Sequence, residues 1–101
     1  MKDRSVNRSL ENYPADIVDG IMARFDAEAI PRVHLLLQDL EGDRLIRCAL
    51  FLSRGSIEGL KSAVDLGKTD YRDLIVAAEY DQKDHHLRDF NQPLPPDEKN
   101  A

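Results

Sequence analysis

The sequence predicts an all-α protein, a compact bundle of about five short helices with a flexible C-terminal tail. Apolar residues recur at spacings of three and four along most of the chain, which is the period of an amphipathic helix. Gly, Pro and capping residues separate these segments, and no alternating strand pattern occurs. The most apolar segment runs from Asp43, a suitable cap, to Arg54. Its apolar residues cover well over half of a helix circumference, so we expect a central helix with Leu52 near the middle of the apolar face.

A chain of 101 residues is expected to form one domain. We interpret residues 1–13 as a loose N-terminal arm, 14–81 as the helical domain and 82–101 as a flexible, polar, Pro-rich tail. The composition of the tail buries too little apolar surface to offset the entropy of ordering it. Removal of residues 84–101 is therefore expected to shift the melting temperature by only a few degrees.

The first helix is expected to begin at Pro14, because the fixed φ of proline suits a first helical turn. Its apolar face consists of Ile17, Val18, Ile21, Met22 and Phe25. The second helix has two alternatives, since a proline inside a helix deletes a backbone hydrogen bond. Either the helix begins at Ala27 and bends at Pro31, or a short turn precedes a helix that begins at Pro31.

Capping residues set the expected limits of the later helices. Gly55 is placed to end the central helix in a left-handed conformation. Ser56 caps a helix over about residues 57–66, which Gly67 ends, and Thr69 caps the last helix. The connections are two to four residues long, so successive helices should pack as hairpins.

The formal net charge of −5 makes general nucleic-acid binding unlikely, because such binding needs a basic face. The single Cys48 is expected to act as a small buried hydrophobe. The longest apolar runs are too short to cross a bilayer, so neither a membrane span nor secretion is expected. We expect a cytoplasmic protein, and the sequence indicates no cofactor and no metal.

The first candidate site is the narrow polar strip of the central helix, formed by Arg44, Arg47, Phe51 and Arg54. Three guanidinium groups around an aromatic ring can hold an anion or an acidic partner. Alternatively, the arginines pair with local acids and Phe51 is covered by the fourth helix or the tail. A third alternative is that Phe51 contacts another subunit, because a large apolar side chain on a polar strip favours a second contact.

The second candidate is the outer side of the last helix. It carries Arg72, Asp73, Val76, Glu79 and Tyr80. These residues form a poor catalytic set, since no histidine or nucleophile lies near the carboxylates in the sequence. They suit a contact surface better, because Tyr and Arg are favoured at interfaces. An ordinary solvated face is the alternative.

A third cluster combines carboxylates and imidazoles after the last helix. It comprises Asp81, Asp84, His85, His86 and Asp89. These groups can bind Zn²⁺ or Ni²⁺, but adjacent histidines diverge and the expected tail offers no rigid frame, so a solvated tail is favoured. His34 has no partner at metal-ligand spacing and is expected to be packed or half-exposed.

The run from Arg44 to Tyr80 ends in Asp70-Tyr71-Arg72-Asp73 followed by Ala77-Ala78-Glu79-Tyr80. In this it resembles a family of small, uncharacterised bacterial all-α proteins that share a helix, a Gly-containing turn, a helix and a closing "DYRD…AEY" segment. The resemblance covers roughly half of the expected folded part. It implies a free-standing small bacterial protein and no particular activity.

The leading hypothesis is a non-enzymatic helical protein that acts through protein–protein contacts, as a homodimer or as a binder of a larger partner. It rests on the lack of a catalytic set in the sequence and on three apolar residues outside the core stripes, Leu35, Phe51 and Val76. The alternative is an anionic-ligand-binding or hydrolytic domain that uses Arg44, Arg47 and Arg54, with a carboxylate as base.

Overall fold

The computed structural model describes residues 12–81, 83 and 85–94. Its five α-helices are α1 (Ala15–Arg24), α2 (Ile30–Leu37), α3 (Asp43–Ser53), α4 (Ile57–Thr69) and α5 (Tyr71–Glu79). No β-strand occurs among these described residues, which contain one isolated antiparallel bridge between Tyr80 and His86. The predicted all-α bundle is confirmed.

The entry into α2 follows the second of the two predicted alternatives. Residues Ala27–Ala29 form a single 3-10 turn, and α2 then begins at Ile30 with Pro31 in its first turn. A proline is tolerated there because the first amides of a helix have no intrahelical acceptor. The helix therefore needs no bend at Pro31.

Helix α3 is buried almost all round and packs against α1, α4 and α5, as expected of a central helix. Leu50 is completely buried, whereas Leu52 is only partly buried, so the middle of the buried face lies nearer Leu50 than predicted. The helix ends in a left-handed conformation at both Arg54 and Gly55, with φ of 52° and 79°. The predicted left-handed end is confirmed and begins one residue early.

The predicted boundary between α4 and α5 was wrong. Helix α4 continues through Gly67 to Thr69, and Asp70 rather than Thr69 caps α5 by accepting a hydrogen bond from the amide of Arg72. A Cβ atom at Gly67 would lie 2.8 Å from side-chain carbons of both Leu40 and Leu74. This glycine therefore allows close packing inside the helix and does not mark its end.

The largest difference from prediction concerns residues 85–94, which we call the C-terminal segment. They fold back over the helices, with Phe90 only 1% exposed and Leu94 also buried, so this part of the predicted tail is docked on the helical domain. The polar composition of the segment did not indicate this docking, because carboxylates of the helical domain, described below, bind the backbone of the segment. Residues 82, 84 and 95–101 of the predicted tail lie outside the described part of the chain.

The N-terminal boundary also differs, because Tyr13 is buried and belongs to the core. Its ring lies edge-on to His34, with 5.7 Å between ring centroids. Residues 1–11 of the predicted arm lie outside the described residues. None of the described helices is both long and apolar enough to cross a bilayer.

Candidate functional site

Glu79 ends α5, and its side chain is 0% exposed. Arg44 of α3 donates two hydrogen bonds to its carboxylate, at 2.9 Å from Nε and 2.8 Å from Nη2. The amide of Phe90 donates a third at 3.1 Å, and His86 Nε2 lies 2.9 Å from Oε1. Burial disfavours the charged carboxylate, but these bonds outweigh it and lower the pKa of Glu79 from 4.5 to about 2. Because an ionised carboxylate has no proton to give, His86 Nε2 is the donor.

A second bidentate pair lies beside the first. Arg47 donates to Asp16 of α1 at 2.8 Å from Nε and 3.0 Å from Nη2, and its Nη1 donates to the carbonyl of Phe90 at 3.2 Å. The amide of Leu94 donates to Asp16 Oδ2 at 2.8 Å. The hydrogen bonds from Arg47 are the main cause that lowers the pKa of Asp16. Two acidic residues of the helical domain thus bind the backbone of the C-terminal segment.

The C-terminal segment covers Phe51. The Phe51 ring lies 5.4 Å from the ring of Phe90, and the guanidinium carbon of Arg88 lies 4.4 Å from the Phe51 centroid. Arg88 also donates to the carbonyl of Ala78 at 2.9 Å. This matches the alternative in which the tail covers Phe51 and the arginines pair with acids, for Arg44 and Arg47. Arg54 is separate from them and exposed.

Cys48 faces the same buried carboxylate, with Sγ 3.9 Å from Glu79 Oε2. Burial is the main cause that raises the pKa of the Cys48 thiol to about 12, and the negative charge of Glu79 adds to it. The thiol is therefore protonated at neutral pH and unreactive, as expected of a small core residue.

The outer side of α5 is arranged largely as predicted, except that Glu79 points inward. Arg72 and Asp73 are exposed, Val76 is 49% exposed, and Tyr80 stacks on His86 with centroids 4.6 Å apart. The helix ends at Glu79, so Tyr80 lies just beyond it in an extended conformation. We call Arg72, Asp73 and Val76, together with the adjoining Tyr80, the outer face of α5. The Nε atom of the exposed Arg72 also lies 3.3 Å from Oδ1 of Asp70.

The predicted cluster of histidines and carboxylates is divided between two neighbourhoods. His85 Nδ1 lies 3.2 Å from Oδ2 of Asp81, while His86 Nε2 is hydrogen-bonded to Oε1 of Glu79. Asp89 is exposed, and Asp84 lies outside the described residues. Within the described residues, no group of three or more His, Cys, Asp or Glu side chains is placed to hold a metal ion.

Sequence reasoning assigned Glu79 to the wrong side of α5 because the tail was not counted as a packing partner. One signal was present: Glu79 follows the buried Ala78 and lies four residues after the partly buried Ile75, at the edge of the apolar face. The role of Asp16 as the acceptor for the amide of Leu94, 78 positions away, left no local signal in the sequence.

Comparison of the chain with protein-family models, with curated proteins and with solved structures found no match in any of the three.

Proposed function

We propose that this chain is a non-enzymatic, cytoplasmic helical protein that acts through protein–protein contacts made by the outer face of α5. The observation that supports this most directly is the exposure of Val76, a β-branched apolar side chain on α5, to 49%, with Tyr80 directly after the end of the helix. Such residues favour association when another surface covers them. The contacts of Arg44 and Arg47 also favour this function over anion binding, because both guanidinium groups are hydrogen-bonded to carboxylates and do not form an open anion site.

A second copy of the chain is the partner that this face fits best. The face carries one positive and one negative residue side by side, Arg72 and Asp73, next to Val76. In a two-fold symmetric contact the same face meets itself, so each Arg72 can approach the Asp73 of the other copy while the two Val76 side chains pack together. A larger protein was the other partner that the sequence suggested, and it needs no such self-complementarity.

Light scattering over a dilution series tests the proposal. The wild-type chain is expected to approach twice its 11.5 kDa mass at high concentration and to fall to the monomer on dilution. Val76→Asp should remain a folded monomer throughout, because association would remove the introduced carboxylate from water, and this costs free energy. Met22→Asp is the matched control: it changes an apolar side chain that is 56% exposed on α1, and it should behave as wild type. A wild-type chain that stays monomeric up to a protein concentration of about 1 mM would contradict the dimer, because a dissociation constant above that value corresponds to less than about 4 kcal/mol of binding free energy.

A further inference from the structure

The C-terminal segment lies in a groove formed by side chains of three helices, and it turns at residues 89–92, where the amide of Gln92 donates to the carbonyl of Asp89 at 3.0 Å. Side chains from three helices bind its backbone: Glu79 of α5 accepts from the Phe90 amide, Arg47 of α3 donates to the Phe90 carbonyl, and Asp16 of α1 accepts from the Leu94 amide. Hydrogen bonds to backbone groups give affinity for the segment with little dependence on its side chains.

Two side chains of the segment give the groove its selectivity. Phe90 and Leu94, four positions apart, are buried, whereas the three residues between them are exposed. Leu87 is 54% exposed and points away from the core. Gly20 of α1 makes room for the Leu94 side chain, which would collide with a Cβ atom at that position. The groove thus fits an aromatic and an aliphatic residue at this spacing.

The groove keeps its own ion pairs when the segment leaves. Arg44 pairs with Glu79 and Arg47 pairs with Asp16, and all four residues belong to the helical domain. Release of the segment therefore leaves each buried charge with its partner. It avoids the large free-energy cost of an unpaired buried charge. Segments outside regular helices also open at lower free energy than the core helices.

We propose that the groove between α1, α3 and α5 is a peptide-binding site, that residues 85–94 are its displaceable intramolecular ligand, and that it accepts the same ten-residue segment supplied by another molecule. The turn that precedes the segment is short, with the Asp81 carboxylate accepting from the amides of Lys83 and His85. A short tether gives an effective concentration on the order of millimolar, so the intramolecular segment normally fills the groove.

Binding of a fluorescent synthetic peptide of residues 85–94 to the full-length chain tests this. Phe90→Ala weakens the intramolecular ligand, so this variant is expected to bind the peptide at least about 10-fold more tightly than the wild-type chain, whose groove is filled. The peptide should also raise the melting temperature of the variant. A peptide that itself carries alanine for Phe90 should do neither.

Leu60→Ala is the matched control for general destabilisation. Leu60 is completely buried on α4, which makes none of the hydrogen bonds or ring contacts to the segment described above, so this variant should not gain peptide binding. If Phe90→Ala does not fold, recovery of its helical circular dichroism on addition of the peptide supports the proposal, and Leu94→Ala is measured in the same way. Absence of binding to both variants at about 1 mM peptide would overturn it. Peptide binding does not depend on the oligomeric state, so this result and the test of the α5 dimer can fail separately.

Discussion

Glu79 shows how one residue can connect two parts of a chain. Its buried carboxylate accepts hydrogen bonds from Arg44 of α3 and from the Phe90 amide of the C-terminal segment. A buried charge is tolerated only when its oxygens are satisfied by donors, and both oxygens of Glu79 are. The position of the segment therefore depends on this carboxylate being ionised.

The ionisation of Glu79 predicts a loss of stability in acid. Its pKa is about 2 in the folded chain against 4.5 as the ordinary value, so the folded state binds the proton less readily than the unfolded state. The stabilisation is fully present above about pH 5 and is lost as the pH falls towards 2, and it amounts to about 3 kcal/mol. The lowered pKa of Asp16 acts in the same direction. Urea unfolding between pH 2 and 7 measures the profile.

Glu79→Gln is the control for this profile. The variant should lose about 2–3 kcal/mol at neutral pH, less than a fully buried pair would, because the Arg44 side chain is 35% exposed and keeps some access to water. Its deficit relative to wild type should shrink as the pH falls towards 2. A deficit that is constant across the range would show that the charge of Glu79 is not what stabilises the fold.

Phe51→Asp and Val76→Asp form a pair with opposite expected effects. Phe51 packs against Phe90 and Arg88, so its replacement should lower stability by about 1–3 kcal/mol and leave the molar mass as in wild type. Val76→Asp should change the mass and leave the melting temperature nearly unchanged. A Phe51→Asp chain that loses association and keeps its stability would contradict the assignment of Phe51 to an intramolecular contact.

At the residue scale, sequence reasoning found Phe51 and the arginines but not what they contact. The helical period identifies which residues share the strip, and it correctly left a covering by the tail as one alternative for Phe51. The partners Asp16 and Phe90 are 31 and 43 positions from Arg47, and no periodic pattern links residues so far apart. Only the folded chain brings them together.

At the scale of elements, the helices were more predictable than their ends. Apolar spacing located all five, and the Ser56 cap is confirmed by a 2.8 Å bond from the Gly59 amide. Gly67 was misleading because glycine serves two purposes that the sequence does not distinguish, ending a helix or admitting a close neighbour. The C-terminal segment was missed because its ordering depends on backbone contacts to distant carboxylates.

Removal of residues 84–101 is now expected to damage the protein, in contrast to the prediction from composition. The truncated chain loses the burial of Phe90 and Leu94, which contributes about 1.5–3 kcal/mol of stability for each side chain. The entropy of ordering the segment, which is no longer spent, partly offsets this loss. The melting temperature should fall by about 10 °C or more. Removal of residues 95–101 alone keeps every contact described above and is the control. A fall of less than about 3 °C on the longer truncation would mean that the segment contributes little.

At the scale of the whole molecule, α3 organises the fold by packing against α1, α4 and α5. Leu50→Ala should cost about 2–5 kcal/mol, since the side chain is completely buried and its removal leaves a cavity. Leu52→Ala, at a partly buried position of the same helix, should cost about 1–2 kcal/mol. Urea unfolding of the two variants measures this order, and a larger loss at Leu52 would contradict the burial of α3 described here.

The helices and the C-terminal segment form one folded unit. Native-state hydrogen exchange of the Phe90 and Leu94 amides tests it most directly, because these two amides donate to Glu79 and Asp16. Both should exchange at least about 100-fold more slowly than in an unstructured peptide, which corresponds to an opening free energy of roughly 3 kcal/mol. The exposed Asn91, whose amide donates to the carboxylate of Asp89 two residues earlier, should be far less protected. Exchange of Phe90 and Leu94 at the rate of an unstructured peptide would contradict the claim.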